Sequence, residues 1–451
     1  MTNKTRKIIF FICLLLFVII APLTIFYSQG YRIDFDNKAI KQTGGLFLKV
    51  VPRRADIYLN DSLIKRTDFF FGSALVENLL PKEYRVEIKK PGYHSWQKNL
   101  IIKEKEVTES KNIILFPGDI KFSLFSDQVE DFWLSPDEKK IILLEQEKPL
   151  ISSAWSLKIY ELDKKIKSHL LDETDISPQG AKLIDLDFSS DAKELYFTAE
   201  IKQEIRYFIL SLDSIEPLLL EKEFLTENIA PITAFKQINS DLYYIDKDGY
   251  FFKSTLPAGL VVEPIIFPLE KDLLQNKEAL SNKAFPLKEE KNYALEIFGG
   301  FIFLQEEKNL YQFNFDSENF EIIFDNIKNI QISPDKAKII YFSPHEIWLL
   351  FLRDKSEPPA KRKGDKILLA RLSANISHVN WINNHYLIFL SGNEIKISEI
   401  DDRDRINLVS LFEIKEFPPN GNSIKMIFDR LNRQIYLLNQ ENLKVSDPLF
   451  L

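Results

Sequence analysis

The side chains able to do chemistry are few and scattered. The five histidines are His94, His169, His345, His378 and His385. A helix-borne zinc site needs two histidines four residues apart around a carboxylate, and none of the five shows that spacing. Asp185 with Asp187, and Asp401 with Asp402, are close enough in sequence for paired acid–base work. Such pairs are frequent in an acid-rich chain, and spacing alone assigns them no role. There is no glycine-rich phosphate loop and no Gly-x-Ser-x-Gly elbow for a nucleophile. The single cysteine, Cys13, lies in an apolar run, so neither an internal disulfide nor a cysteine-based zinc site can form. The expectation is no catalytic residue, no cofactor and no metal.

What remains is recognition. Tyr93 and Trp96 form a candidate stacking pair for a carbohydrate, with packing at a turn as the plainer role. Lys361, Arg362 and Lys363 stand in a polar insertion, Asp354–Asp365, between two apolar strands. They form a candidate contact for an anionic polymer or lipid headgroups, with an exposed hairpin loop as the plainer role. Trp133, Trp155, Trp348 and Trp381 lie on predicted strands, where core is the default and ligand stacking the alternative.

These residues hang on a chain of 451 residues, long enough for two or more domains. The net charge is −7, with Lys and Glu interspersed, which argues against a general nucleic-acid binder. The run Ile8–Phe26 contains no charge. As a helix it reaches roughly 28 Å, close to the ~30 Å hydrocarbon core of a bilayer. Lys4, Arg6 and Lys7 precede it, so the positive-inside tendency puts the N-terminus in the cytoplasm and the bulk of the chain outside. Tyr27 and Tyr31 fall at the outer interface. A cleaved signal peptide and a buried soluble helix are the alternatives.

Past the apolar run the chain reads as strands. Tyr31–Gly45 has the pattern of a short hairpin, turned by Asp36 and Asn37. From Leu46 to Phe116 the alternation is all-β and self-contained. Leu46, Leu48 and Val50 alternate, as do Tyr84, Val86 and Ile88, and Pro91-Gly92 marks a turn. Asp56–Leu59, Leu100–Ile102 and Ile113–Leu115 complete the predicted strands.

This segment resembles a PEGA domain, a small β module of cell-surface proteins. The matching residues are Gly45, Leu46, Leu48, Val50, Pro52, Ala55, Ile57, Tyr58, Leu59 and Asn60. Leu79, Leu80, Pro81, Tyr84, Val86, Ile88, the Lys90-Pro91-Gly92-Tyr93 stretch and Trp96 follow. Lys82-Glu83 stands after Pro81 where the family usually has glycine. The resemblance implies an extracytoplasmic, non-enzymatic interaction module.

From residue 118 onward the strands group in fours, at about 50 residues per group, the period of propeller blades. The groups span residues 131–171, 183–220, 232–267, 293–324, 327–372, 377–412 and 423–445. The fourth strand of the third group is predicted at Val262–Phe267. The seventh group lacks a fourth strand, and Ile120–Phe125 is a spare one ahead of the first group. Pairing the two closes the ring and removes an exposed edge. Ser135-Pro136-Asp137, Ser333-Pro334-Asp335 and Ser189-Ser190-Asp191 form recurring turns, and in them the blades resemble those of TolB-type propellers. Glu138, Lys336 and Ala192 replace the glycine usual after the aspartate. Strand rhythm alone leaves six or eight blades open.

The fold expected is therefore all-β: a small PEGA-like module, then a propeller of about seven blades, with one N-terminal transmembrane helix. The divisions are 1–7 tail, 8–26 span, 27–43 linker hairpin, 44–117 module and 118–451 propeller. The function expected is a membrane-anchored binding or scaffolding protein of a bacterial envelope. Its partners are the bilayer, through Ile8–Phe26, and an envelope protein or cell-wall glycan. An envelope glycan or peptide hydrolase or lyase, and an accessory subunit of an export or assembly complex, are the competing readings.

Overall fold

The computed structural model describes residues 3–35, 38–146, 155–212, 218–222, 229–257, 269–415 and 424–450. An N-terminal helix, Asn3–Ser28, leads the chain. Its stretch Thr5–Ser28 is long and apolar enough to cross a membrane and buries none of that surface against the rest of the protein. Pro22 lies within the last two turns, where few backbone hydrogen bonds are lost. The hairpin follows at once, with Tyr31–Asp34 paired antiparallel to Ala39–Gln42.

Two small sheets then face each other. One has the order Ser73–Leu79, Gly44–Val51, Val107–Ile114, the last two strands running parallel. The other has the order Ser62–Arg66, Asp56–Leu59, Glu83–Lys89, Trp96–Ile101. The alternation expected from sequence supplies their shared core: Leu46, Leu48, Val50, Ile57, Val86 and Ile88 are all fully buried. Each such side chain contributes about 1.5–3 kcal/mol relative to exposure. Ser62–Arg66 and Ser73–Leu79 were not expected as strands. The first is exposed along its whole length, so no alternation marks it. The second interleaves Glu77 and Asn78 with its apolar residues.

Among the described residues that follow, seven four-stranded antiparallel sheets form. Blades one to six run in simple chain order, each beginning at its inner strand. The seventh has the order Phe122–Ser126, Asn442–Ser446, Gln434–Asn439, Ile424–Asp429. The spare strand does close the ring: Phe122, Ser123 and Leu124 pair with Ser446, Val445 and Lys444. Inner strands of neighbouring blades are tied by ion pairs, Lys425–Asp131 at 2.7 Å between blades seven and one and Lys236–Glu296 at 2.8 Å between three and four. The core lies between blades. One cluster joins Phe132 and Leu143 of blade one to Tyr436 and Leu438 of blade seven. Another joins Ile388 and Ile395 of blade six to Met426 and Leu437 of blade seven.

The three Ser-x-Asp turns share one network. Ser135, Ser189 and Ser333 are buried, and each hydroxyl donates to the aspartate two residues on, at 2.6, 2.8 and 2.5 Å. Each hydroxyl also accepts from the backbone N–H five residues on. Glu138, Ala192 and Lys336 are all left-handed, with φ of 56°, 59° and 53°, the conformation that favours glycine. Val262–Phe267, expected as the outer strand of blade three, lies outside the described residues. Gln275–Ala279 takes that place in the sheet. It is exposed throughout and polar up to Ala279, so it offers no apolar pattern to read.

Ring closure can be checked covalently. Ser123 and Val445 are direct partners, 322 residues apart in the chain. In a Cys13→Ser background, Ser123→Cys with Val445→Cys is expected to crosslink on mild oxidation, because paired strands bring Cα atoms within disulfide reach. A faster-migrating band on a non-reducing gel, reversed by dithiothreitol, is the readout. Failure to crosslink in the folded protein contradicts the closure.

Candidate functional site

Trp96–Ile101 is the edge strand of its sheet, and it presents Trp96, Lys98 and Leu100 to the interior by simple alternation. Leu100 and Trp96 pack in the module core. Lys98 has no such partner there, yet it is fully buried. Its ammonium reaches across to blade six, where it meets Glu399 Oε1 at 2.6 Å. It also donates to the backbone oxygens of Asp401, Arg403 and Arg405 at 2.7, 3.0 and 2.5 Å. A buried ammonium costs several kcal/mol unless paired and hydrogen-bonded, and here every proton has an acceptor.

Glu399 is equally enclosed. It accepts from Trp96 Nε1 at 2.9 Å and from Asn407 N and Nδ2 at 3.0 and 2.8 Å. Burial raises its carboxyl above the ordinary value, against the opposing pull of Lys98. The loop 401–405 plugs the open side between the two small sheets. Asp404 accepts from Asn99 N at 2.8 Å, covering the edge of one sheet. Arg403 donates to Glu109 O at 2.7 Å and Ser110 Oγ at 3.0 Å on the other, and is itself held by Asp401. Close by, the Tyr386 hydroxyl accepts from Ile114 N at 3.1 Å, and its ring packs edge-on against Phe116 at 5.4 Å. Leu115 belongs to the module core and Phe116 to the propeller core, so the chain passes between bodies there without a linker.

Beside this seam lies a crevice lined by Trp96, Asn112, Lys355, Pro359, His385 and Tyr386 among others. Its volume is about 80 Å³. Small-molecule sites run to several hundred Å³, whereas this space suits a few water molecules. His385 is kept neutral down to about 4, chiefly by burial and then by the charges of Lys338 and Lys355, with Asp335 and Glu357 opposing. Burial likewise lowers Lys355.

The sequence-derived recognition residues are dispersed by this architecture. Trp96 and Lys361 are brought to the same crevice. Trp96 is 3% exposed, its indole committed to Glu399, so it offers no face for stacking. Tyr93 is half-buried against the module core and bridges to Pro117, away from any partner for a shared ligand. Lys361 pairs with Asp402 at 2.5 Å. Lys363 lies over the Phe301 ring at 4.7 Å. Arg362 is exposed, and among the described residues its guanidinium has no partner. Asp401 and Asp402 hold Arg403 and Lys361. Trp155 and Trp381 are buried between blades. Among the described residues one group has metal-ligating types together: His169, Asp172 and Asp175, with donor atoms within 4.8 Å. All three are at least partly exposed, and Asp175 already accepts from Asp172 N.

Sequence reasoning missed Lys98 and Glu399. The available signal was parity: a lysine standing at a core-facing position between Trp96 and Leu100. It also missed Phe69, Phe70 and Phe71, which are 54%, 69% and 75% exposed. Three consecutive phenylalanines between an aspartate and a glycine was the mark of that turn.

No protein-family model matches the sequence, and no curated protein matches it either. Solved structures similar to it include propellers. The β-propeller domain of Cps50 (Swd1) from Myceliophteria thermophila is 8% identical with a TM-score of 0.40, covering 73% of this chain and 99% of that one. Virginiamycin B lyase from Staphylococcus aureus is 12% identical with a TM-score of 0.40, at 73% and 99% coverage. Raptor from Chaetomium thermophilum is 9% identical with a TM-score of 0.43, at 74% and 29% coverage. The propeller assignment rests on the strand pairing itself.

Two outcomes check the seam. Lys98→Met strands the Glu399 carboxylate and the loop carbonyls, so it is expected to cost about 3–5 kcal/mol. Denaturant unfolding should then split into two transitions, and a single unshifted transition contradicts the role given to Lys98. His385 is neutral in the folded chain where the unfolded chain is protonated, so stability is full above about 6.5 and falls as pH drops from there toward about 4. His385→Gln should remove part of that loss, measured as the difference between denaturant midpoints at about pH 7 and about pH 5. An identical pH dependence in both proteins rules the assignment out.

Proposed function

We propose that this protein is a membrane-anchored, extracytoplasmic binding scaffold of a bacterial envelope, acting without catalysis of its own. The N-terminal helix is the anchor, with Lys4, Arg6 and Lys7 on the cytoplasmic side. The module, PEGA-like in sequence, and the TolB-like ring form one stiff body through the Lys98 seam. The partner is an envelope protein, with cell-wall glycan as the other class the same surface would serve.

One observation carries the reading: the turn that displays Phe69, Phe70 and Phe71. Asp68 accepts four hydrogen bonds, from Phe70 N at 2.8 Å, Phe71 N at 2.6 Å, Ser73 N at 2.7 Å and Ser73 Oγ at 2.6 Å. These hold its carboxyl well below the usual range. Gly72 has φ of 69°, and a Cβ there would come within 2.3 Å of Val50 O. The Arg54 guanidinium covers one face of Phe69 at 4.4 Å. The turn is therefore built, and its aromatic rings are left in solvent. Exposed aromatics on a pre-organised turn, flanked by arginine, are the composition of binding hot spots.

Crosslinking pull-down from intact membranes tests this. Replacing Phe69, Phe70 and Phe71 together by alanine is expected to lower partner capture at least about tenfold, the scale of hot-spot removal, with the melting temperature unchanged. Capture profiles identical to the parent's contradict the assignment. Loss of binding to isolated wall fractions instead of to a protein points to the glycan class.

A further inference from the structure

We propose that the hairpin Tyr31–Asp34/Ala39–Gln42 is a second membrane contact, lying flat in the outer interface and fixing the height and tilt of the module above the bilayer. This rests on the reading of the N-terminal helix as a membrane anchor. The hairpin is two-faced by strand alternation. Ile33 and Ile40 are direct cross-strand partners, and both point outward, 57% and 71% exposed. Phe35, on the same side at the turn, is 81% exposed. The other face turns inward: Asp34 is buried and paired to Lys41 at 3.0 Å.

The apolar face cannot swing freely away from the helix. Arg32 splints the junction, donating to Tyr27 O at 2.8 Å and to Asn78 Oδ1 at 2.8 Å, with its guanidinium stacked 3.5 Å over the Tyr27 ring. Gln42 Nε2 reaches Gln29 O at 3.0 Å, and Thr43 N and Oγ1 both donate to Gly30 O. Phe26, near the end of the anchor, packs edge-on against Tyr31 at 5.4 Å. Apolar side chains thus continue from the helix through Phe26 and Tyr31 onto Ile33, Ile40 and Phe35, with Gln42 the polar residue opposite Tyr31. Four-residue strands are about 14 Å long, a size that suits the headgroup layer, and aromatic and aliphatic side chains favour that depth. Continuity with the anchor makes the bilayer the occupant of this face.

Depth-dependent quenching in the full chain tests the proposal. In a Cys13→Ser background, Ile40→Cys carries an environment-sensitive fluorophore, in vesicles of phosphatidylcholine and phosphatidylglycerol. Some vesicles include phosphatidylcholine spin-labelled near the top of its acyl chain, others near the bottom. A second protein is labelled at native Cys13, and a third, again with Cys13→Ser, at Leu220→Cys, an exposed outer-strand site on blade two. The Ile40 probe is expected to emit to the blue and to be quenched about two-fold more by the shallow label than by the deep one, as an interfacial site should. The Leu220 probe should be unaffected and the Cys13 probe quenched most by the deep label. An Ile40 probe that behaves like the Leu220 probe while Cys13 is quenched overturns the docking and leaves the anchor standing. A blue-shifted but unquenched Ile40 probe shows that protein covers the face, and also overturns it. An unquenched Cys13 probe overturns the anchor and the docking together.

Discussion

The structure depends on one buried cation. Lys98 carries a charge from the edge of a small sandwich into the body of the propeller, where Glu399 and three backbone oxygens meet it. An ammonium withdrawn from water is tolerable only with that complete set of acceptors. The requirement fixes the loop 401–405, because three of its carbonyls must converge on a point. The loop in turn supplies Asp404 and Arg403 to the edges of both small sheets. Removing one partner of a buried ion pair leaves an uncompensated charge, so this pair penalises any arrangement of the two domains that separates Lys98 from Glu399.

Around that point the two bodies are conventional in their physics. The module buries an alternating apolar set between two sheets. The ring buries apolar residues between blades and hides its last edge by pairing Phe122–Ser126 with Asn442–Ser446. Because the closing strand comes directly after the module, the seam and the ring closure are adjacent in sequence. Motion of the module would pull on the strand that completes the propeller. The crevice beside the seam holds about 80 Å³, and two of the carboxylates lining it, Glu399 and Asp401, are engaged by Lys98 and Arg403.

Most of the architecture was legible from sequence, for a clear reason. Period-two alternation, as at Leu46–Val50 and Tyr84–Ile88, reports burial directly. The Ser-x-Asp turns and the unpaired Ile120–Phe125 announced blades and their closure. Where the reading failed, the pattern was absent: Ser62–Arg66 and Gln275–Ala279 are exposed on both faces, so register left no imprint. The candidate site was far less legible. Tyr93, Trp96, Lys361, Arg362 and Lys363 were selected by type, and type says nothing of what a neighbouring domain covers. Trp96 looked available because its partner, Glu399, is 303 residues away. Lys98 looked like ordinary surface for the same reason. The Phe69–Phe71 turn was visible as composition, but its exposure follows from Asp68 accepting bonds from Phe70, Phe71 and Ser73, which composition does not display.

The central claim is that module and propeller form one body. The most direct test is the distance distribution between spin labels at Glu104→Cys on the module and Glu318→Cys on blade four, in a Cys13→Ser background. A rigid seam predicts one narrow peak that broadens when Lys98 is replaced by methionine. A broad or multi-peaked distribution in the protein with Lys98 intact would contradict the account.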